Sequence, residues 1–221
     1  MSAWDSTKNT RPRQPDRLLA IGDIHGCRRQ LQGLLAQVKP AAGDRLVFLG
    51  DYVDRGPDSA GVIADLIALG KTFPGSIFLR GNHEEMLLDV VAGNDPSTFL
   101  FNGGGRTIAS YQALGGWPPP AEHLAFLGSL PTAYETECFI FVHAGLLPGI
   151  PLAEQRPDDL LWIRGEFLGS DYDWGKPVVF GHTPRERPLL EPGRIGLDTG
   201  CVYGGTLTCC DVLTRRCWQS G

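Results

Sequence analysis

Four of the five histidines in this 221-residue chain stand within five short segments that are also rich in Asp, Asn and Gly. The segments are Gly22-Asp23-Ile24-His25-Gly26, Gly50-Asp51-Tyr52-Val53-Asp54-Arg55-Gly56, Gly81-Asn82-His83-Glu84, His143-Ala144-Gly145 and Gly181-His182-Thr183; only His123 lies elsewhere. Imidazole and oxygen donors without thiolates suit a borderline cation such as manganese, iron or zinc. Asp23 and His25 can ligate one ion together because the flanking glycines release the backbone into a tight loop. With Asp51, Asn82, His143 and His182 they make six donors, more than one tetrahedral zinc uses. A carboxylate bridging two ions would employ them all, and such ion pairs serve in-line displacement at phosphorus. Alone, an Asp-x-His-Gly loop reads as a turn, a strand-end Asp as a helix cap and Asn-His as a left-handed turn. Five glycine-flanked segments, each at a strand end, weigh against those separate readings.

The elements that must position these residues are short. Leu18–Ile21 is an apolar run that stops at Gly22, Arg45–Leu49 stops at Gly50, and Ser76–Arg80 stops at Gly81. Runs of this length bounded by glycine suit buried strands. Leu31, Leu34, Leu35 and Val38 mark one face of a helix between the first two runs, and Val62, Ile63, Leu66 and Ile67 mark another before the third. That alternation predicts βαβ crossovers, a parallel sheet, and a site at the carboxyl ends of the strands. Further strands are expected at Phe139–Val142, Val178–Phe180, Ile195–Leu197 and Thr206–Leu213. Glu84–Ala92 and Ala121–Gly128 read as helices. Asn94–Pro120, rich in Gly and Pro with several aromatic residues, reads as an insertion beside the site (about 93–121), not a domain of its own.

Composition narrows the class. Apolar residues make up 42% of the chain and charged residues 20%, enough for a sizeable core and against a disordered protein. Residues 1–16 are polar and aperiodic and are expected to be a disordered tail, leaving 17–221 as a single catalytic domain. A net charge of −5 argues against an electrostatic nucleic-acid binder. No apolar run is long enough to span a bilayer, and the N-terminus lacks the apolar core of a secretory signal, so no membrane partner and a cytoplasmic location are expected. Six cysteines then read as reduced thiols. Cys201, Cys209, Cys210 and Cys217 lack zinc-ribbon spacing and suit mostly the alternating positions of an edge hairpin.

The ordered motifs GDIHG, GDYVDRG, GNHE, HAG and GHT resemble the signature of the PPP-type phosphoprotein phosphatases, within the calcineurin-like metallophosphoesterases, over about Arg17 to Asp211. The resemblance implies an α/β fold, a β-sandwich of two sheets flanked by helices (αββα) with a dimetal site at strand-end loops. It implies that Asp23 and His25 hold the first metal, that Asp51 bridges, and that Asn82, His143 and His182 hold the second. His83 would be the general acid, oriented by Asp54, and Arg55 would hold the phosphoryl oxygens. Leu161-Trp162-Ile163-Arg164-Gly165 resembles the segment that supplies a second arginine, Arg164, in bacterial and phage members. The chemistry of the residues agrees: His83 adjoins a ligand yet is not needed as one, and a carboxylate such as Asp54 would keep it protonated.

The implied activity is phosphomonoester hydrolysis by a hydroxide bridging two divalent ions, Mn²⁺ in the first place and Fe or Zn otherwise, with no Ser or Cys nucleophile. The expected substrate is a phosphoserine or phosphothreonine phosphoprotein or phosphopeptide. The alternative is a symmetrical dinucleoside tetraphosphate hydrolase, a related branch that tends to carry GDLVARG and GNHD; Tyr52, Asp54 and Glu84 point away from it. A non-catalytic phosphopeptide-binding module would show lost ligands, and none is lost. Asp198-Thr199-Gly200, after a strand, either supports a ligand histidine or caps a turn.

Overall fold

The structure is a computed structural model that describes residues 15–221; residues 1–14, most of the expected tail, lie outside the described residues. At the boundary the Asp16 N–H donates to the Gly43 carbonyl. The expected alternation follows. Strand β1 (Leu18–Ile21) leads through helix α1 (Arg28–Val38) to β2 (Arg45–Phe48), and α2 (Ser59–Thr72) leads to β3 (Ile77–Phe78). These three strands are parallel, with Leu18 opposite Arg45 and Val47 opposite Ile77. The Asp58 carboxylate caps α2 by accepting the Gly61 N–H at 2.8 Å.

After β3 the chain forms α3 (Asn82–Val91), α4 (Ser97–Phe101), α5 (Gly104–Ala113) and α6 (Ala121–Gly128). The stretch expected as a Gly- and Pro-rich insertion thus carries two helices. Its periodicity was hidden because the buried face of α5 is Gly104, Thr107, Ser110 and Tyr111, polar and small residues that no hydropathy pattern marks. That face packs on the start of α2, where Ser59 Oγ lies 2.9 Å from Thr107 Oγ1 and the Ala60 N–H donates to Ser110 Oγ.

The second half contributes β4 (Ala133–Glu135), β5 (Ile140–Val142), α7 (Pro157–Trp162), α8 (Gly165–Leu168), β6 (Val178–Phe180), β7 (Leu189–Leu190) and β8 (Arg194–Gly196). Hairpin strands β9 (Leu207–Asp211) and β10 (Arg216–Ser220) then return to the first sheet. The strand orders are β10-β9-β1-β2-β3 and β4-β5-β6-β8-β7. Each sheet has a parallel centre, as expected, but both are mixed, because β9, β10, β4 and β7 add antiparallel.

Alternating residues of β1 explain the layering. Leu18 and Ala20 face the second sheet with Val47, Phe141, Val179 and Ile195, whereas Leu19 and Ile21 face α1 and α2 with Leu31, Leu34 and Leu66. A third cluster joins Ile140, Val142 and Phe180 to Leu160 and Phe167 of the helices on the far side. The result is the expected αββα sandwich, with strands apolar on both faces. Each fully buried Leu or Phe stabilises it by about 2 kcal/mol. Cys209 and Cys210 point to opposite faces of β9, and Cys217 pairs opposite Cys210, as an edge hairpin requires. Cys201 lies outside the hairpin, in a 3₁₀ turn, Cys201–Tyr203.

Candidate dimetal site

The carboxyl ends of β1, β2, β5, β6 and β8 meet along one edge of the sandwich, and main-chain hydrogen bonds tie their loops together. The Ile24 and His25 N–H groups both donate to the Asp51 carbonyl, Gly26 N–H to Tyr52, and Gly181 N–H to the His143 carbonyl. Of the seven non-glycine residues with positive φ among the described residues, five belong here: His25, Asp51, Asp54, Arg55 and His182. Each such residue costs of order 1 kcal/mol or more, so the strain is concentrated where side chains must be aimed.

Asp51 stands at the centre with its carboxylate 2% exposed. Its Oδ2 faces His25 Nε2 at 3.4 Å and His83 Nε2 at 3.8 Å, while its Oδ1 faces His143 Nε2 at 3.4 Å. His143 Nε2 is also 3.0 Å from Asn82 Oδ1 and 3.2 Å from His182 Nδ1. Donors about 2.1 Å from a shared ion stand about 3 Å or slightly more from one another, so this spacing fits a cation. Two groups of donors result, His25, Asp51 and His83 on one side and Asp51, His143 and His182 on the other, each within 4.8 Å. Asp51 belongs to both.

The inward-facing nitrogens are selected by what holds the opposite one. His25 Nδ1 donates to the Val53 carbonyl and His143 Nδ1 to the Leu49 carbonyl, both at 2.8 Å, leaving each Nε2 lone pair free toward Asp51. Burial pushes His25 down to about 3 and His182 down to about 2, and lowers His143 as well. Burial opposes ionisation of Asp51, but the four surrounding histidines hold its carboxyl far below the usual carboxylate range. Neutral imidazoles around an ionised carboxylate are the protonation states that metal ligation demands. Among the described residues, the buried Nε2 atoms of His83 and His182 have no hydrogen-bond partner.

Asp23 sits beside this set, outside the two groups of donors. Its carboxylate accepts the His182 N–H at 3.0 Å and 3.2 Å, and burial, Asp198 and Asp51 raise its pKa well above the usual value. A side chain at Gly181 would place its Cβ 2.1 Å from Asp23 Oδ1, so only glycine admits that approach.

His83 follows Asn82 at the start of α3, and its Nδ1 donates to Asp54 Oδ2 at 2.6 Å with both side chains fully buried. Burial acts to lower its pKa, but the Asp51 and Asp54 carboxylates outweigh it and hold His83 above the ordinary imidazole value. Thr107 Oγ1 donates to the other Asp54 oxygen at 2.6 Å. Arg55 extends Nη1 to within 2.7 Å of His25 Nε2, and its own N–H donates to the Gly103 carbonyl. Arg164, exposed, reaches Thr183 Oγ1 at 3.5 Å, next to His182. Trp162 lies edge-on to the His182 ring at 6.2 Å.

Two supporting residues escaped the sequence reading. Glu84, noted there only as a family mark, accepts four main-chain N–H groups: Asp51 and Gly81 on Oε2, Tyr52 and Val53 on Oε1. Burial and the Asp51 charge push its carboxyl up to about 7, with the N–H donors acting in the opposite direction. Its spacing from Gly81 is that of a capping box, the one local signal available. Thr107 had none, being 53 residues from Asp54. Tyr52 is core, its hydroxyl donating to the Leu79 carbonyl at 2.6 Å. Asp198 caps its turn by accepting the Gly200 N–H, and burial raises its carboxyl to about 6. His123 bonds Tyr111 instead of joining the site.

Comparison with known proteins bears on this arrangement. The family model for the calcineurin-like phosphoesterases matches residues 16–196. A serine/threonine-protein phosphatase 1 of Salmonella typhimurium is 36% identical over 207 residues, covering 85% of this chain and 88% of its own. A symmetrical bis(5'-nucleosyl)-tetraphosphatase of Paraburkholderia phymatum is 38% identical over 182 residues, covering 81% of this chain but 58% of its own. A crystal structure described as a candidate diadenosine tetraphosphatase superposes with a TM-score of 0.72 at 29% identity, covering 93% of this chain and 95% of the other.

Proposed function

The chain belongs to the calcineurin-like phosphoesterase family, and from that premise we propose that it is a metal-dependent serine/threonine protein phosphatase. The observation that carries this reading is the buried His83–Asp54 pair. A serine alkoxide is a poor leaving group and must be protonated as it departs, whereas a nucleotide phosphate leaves as a stable anion. An imidazole kept protonated by a carboxylate, itself fixed by Thr107, is suited to the first task. Similarity to the Salmonella phosphatase supports the same reading.

In this reading Asp23, His25 and Asp51 hold one divalent cation and Asp51, Asn82, His143 and His182 the other, Mn²⁺ being favoured by the mixed nitrogen and oxygen donors. When bound, two such ions supply Lewis acidity that activates water and offsets charge on the phosphoryl oxygens. The chain does the rest. Arg55, beside His25, and Arg164, beside His182, present planar N–H forks to the phosphoryl group. His83 Nε2, the nitrogen not engaged by Asp54, delivers the proton to the leaving oxygen.

The similarity to the tetraphosphatase favours hydrolysis of a dinucleoside tetraphosphate as a second reading. Turnover of a phosphoserine peptide and of diadenosine tetraphosphate by the chelated and then Mn²⁺-reconstituted protein separates the two. We expect chelation to abolish activity, Mn²⁺ to restore it, and kcat/KM to favour the peptide. A preference for the dinucleotide would replace the first reading by the second, and full activity in metal-free protein would overturn both.

A further inference from the structure

We infer that Tyr203 is a positioning residue for Arg55, keeping the guanidinium at the mouth of the site with its N–H edges free for phosphate. The inference rests on the proposal that Arg55 holds the phosphoryl oxygens. Arg55 Cζ stands 5.6 Å from the centroid of the Tyr203 ring. Among the described residues no carboxylate lies within 4.0 Å of the guanidinium. An ion-pair partner would compete with phosphate for the same donors. An aromatic face instead attracts the cation through its π-system and orients the guanidinium plane without occupying an N–H edge.

The rest of the local structure agrees. Tyr203 ends the 3₁₀ turn Cys201–Tyr203, which is bounded by Gly200 and Gly204, both with positive φ, and closed by the Tyr203 N–H to the Gly200 carbonyl. The turn leaves the ring 63% exposed, so it is not there to fill the core. The Arg55 backbone is fixed from the other side, in the left-handed region, against Gly103, where an added Cβ would stand 2.9 Å from Arg55 Cγ. The guanidinium's other contact, His25 Nε2, is a proposed metal ligand atom, so with cations bound Tyr203 is the contact that remains.

The test uses Y203L, Y203F and R55A in the metal-loaded protein, with metal content, kcat and KM for a phosphoserine peptide, and the Kd of inorganic phosphate by calorimetry. Y203L is expected to keep two metals, to raise KM and phosphate Kd about three- to fivefold, the effect of losing a cation–π contact to a mostly exposed ring, and to leave kcat within about threefold. Y203F, which retains the ring face, is expected to stay within about twofold of the wild type. On the R55A background Y203L should add nothing, since its effect passes through Arg55. Equal losses in Y203F and Y203L, an unchanged phosphate Kd in Y203L, or the same loss in the absence of Arg55 would each overturn the inference. If R55A itself leaves phosphate binding intact, the proposed role of Arg55 fails, and the role of Tyr203 fails with it.

Discussion

The Asp54 carboxylate is shared between two buried partners, receiving His83 Nδ1–H on one oxygen and the Thr107 hydroxyl on the other, each at 2.6 Å. Both oxygens are thus occupied, and Asp54 belongs to neither group of donors around Asp51. The unbonded His83 Nε2 is thereby left as the only nitrogen of that ring that can face a leaving group.

His83→Asn should therefore retain its metals and lose about 10²–10⁴-fold in turnover of a phosphoserine peptide, the usual worth of general acid catalysis. The loss should be much smaller for p-nitrophenyl phosphate, whose leaving group is already a stable anion. Parallel rate measurements with metal analysis check this, and equal losses on both substrates would assign His83 to holding phosphate or water.

Glu84→Gln should be more damaging than its small volume change suggests. An amide would set its NH₂ end against two of the four main-chain N–H groups that now meet carboxylate oxygens. Leaving such buried donors unpaired costs about 2–5 kcal/mol in all. The Asp51 loop should loosen with it. Denaturant unfolding should show the loss of stability, and metal titration a weakened affinity.

Gly181→Ala tests whether Asp23 is a ligand. Its new Cβ would meet Asp23 Oδ1 at 2.1 Å, forcing that carboxylate or the His182 loop to move. Elemental analysis should find fewer than two cations per chain. A variant with both ions and full activity would remove Asp23 from the ligand set.

Far from the site, Asp44 predicts part of the acid response. Its carboxylate is 2% exposed and receives Arg17 Nε at 2.9 Å and the Ala41 N–H at 2.7 Å. Burial opposes its ionisation, but Arg17 and the Ala41 N–H outweigh it and lower its pKa below the usual 3.8. A carboxyl lowered on folding stabilises the fold above its unfolded pKa, and that contribution is lost as pH falls through the folded value. Asp44→Asn should therefore cost about 1–3 kcal/mol at neutral pH and have progressively less effect as the pH falls below about 4, measured by urea unfolding across that range.

The amino-acid sequence determined the strand ends and what stands on them. Glycine after a short apolar run both ends a strand and frees the loop that follows, so Asp23, His25, Asp51, Asn82, His143 and His182 could each be placed at a strand end from local pattern alone. The helical spacing of Leu31, Leu34 and Val38 was legible for the same reason. Thr107 beneath Asp54, the Val53 and Leu49 carbonyls that choose the ligating nitrogens of His25 and His143, the four N–H groups gathered by Glu84, and the Tyr203 ring against Arg55 were settled only by the tertiary structure. A hydrogen bond or a ring contact depends on distance in space, and His143 Nδ1 meets a carbonyl 94 residues away in the chain. No spacing rule spans that interval; the packing of the two sheets brings the partners together.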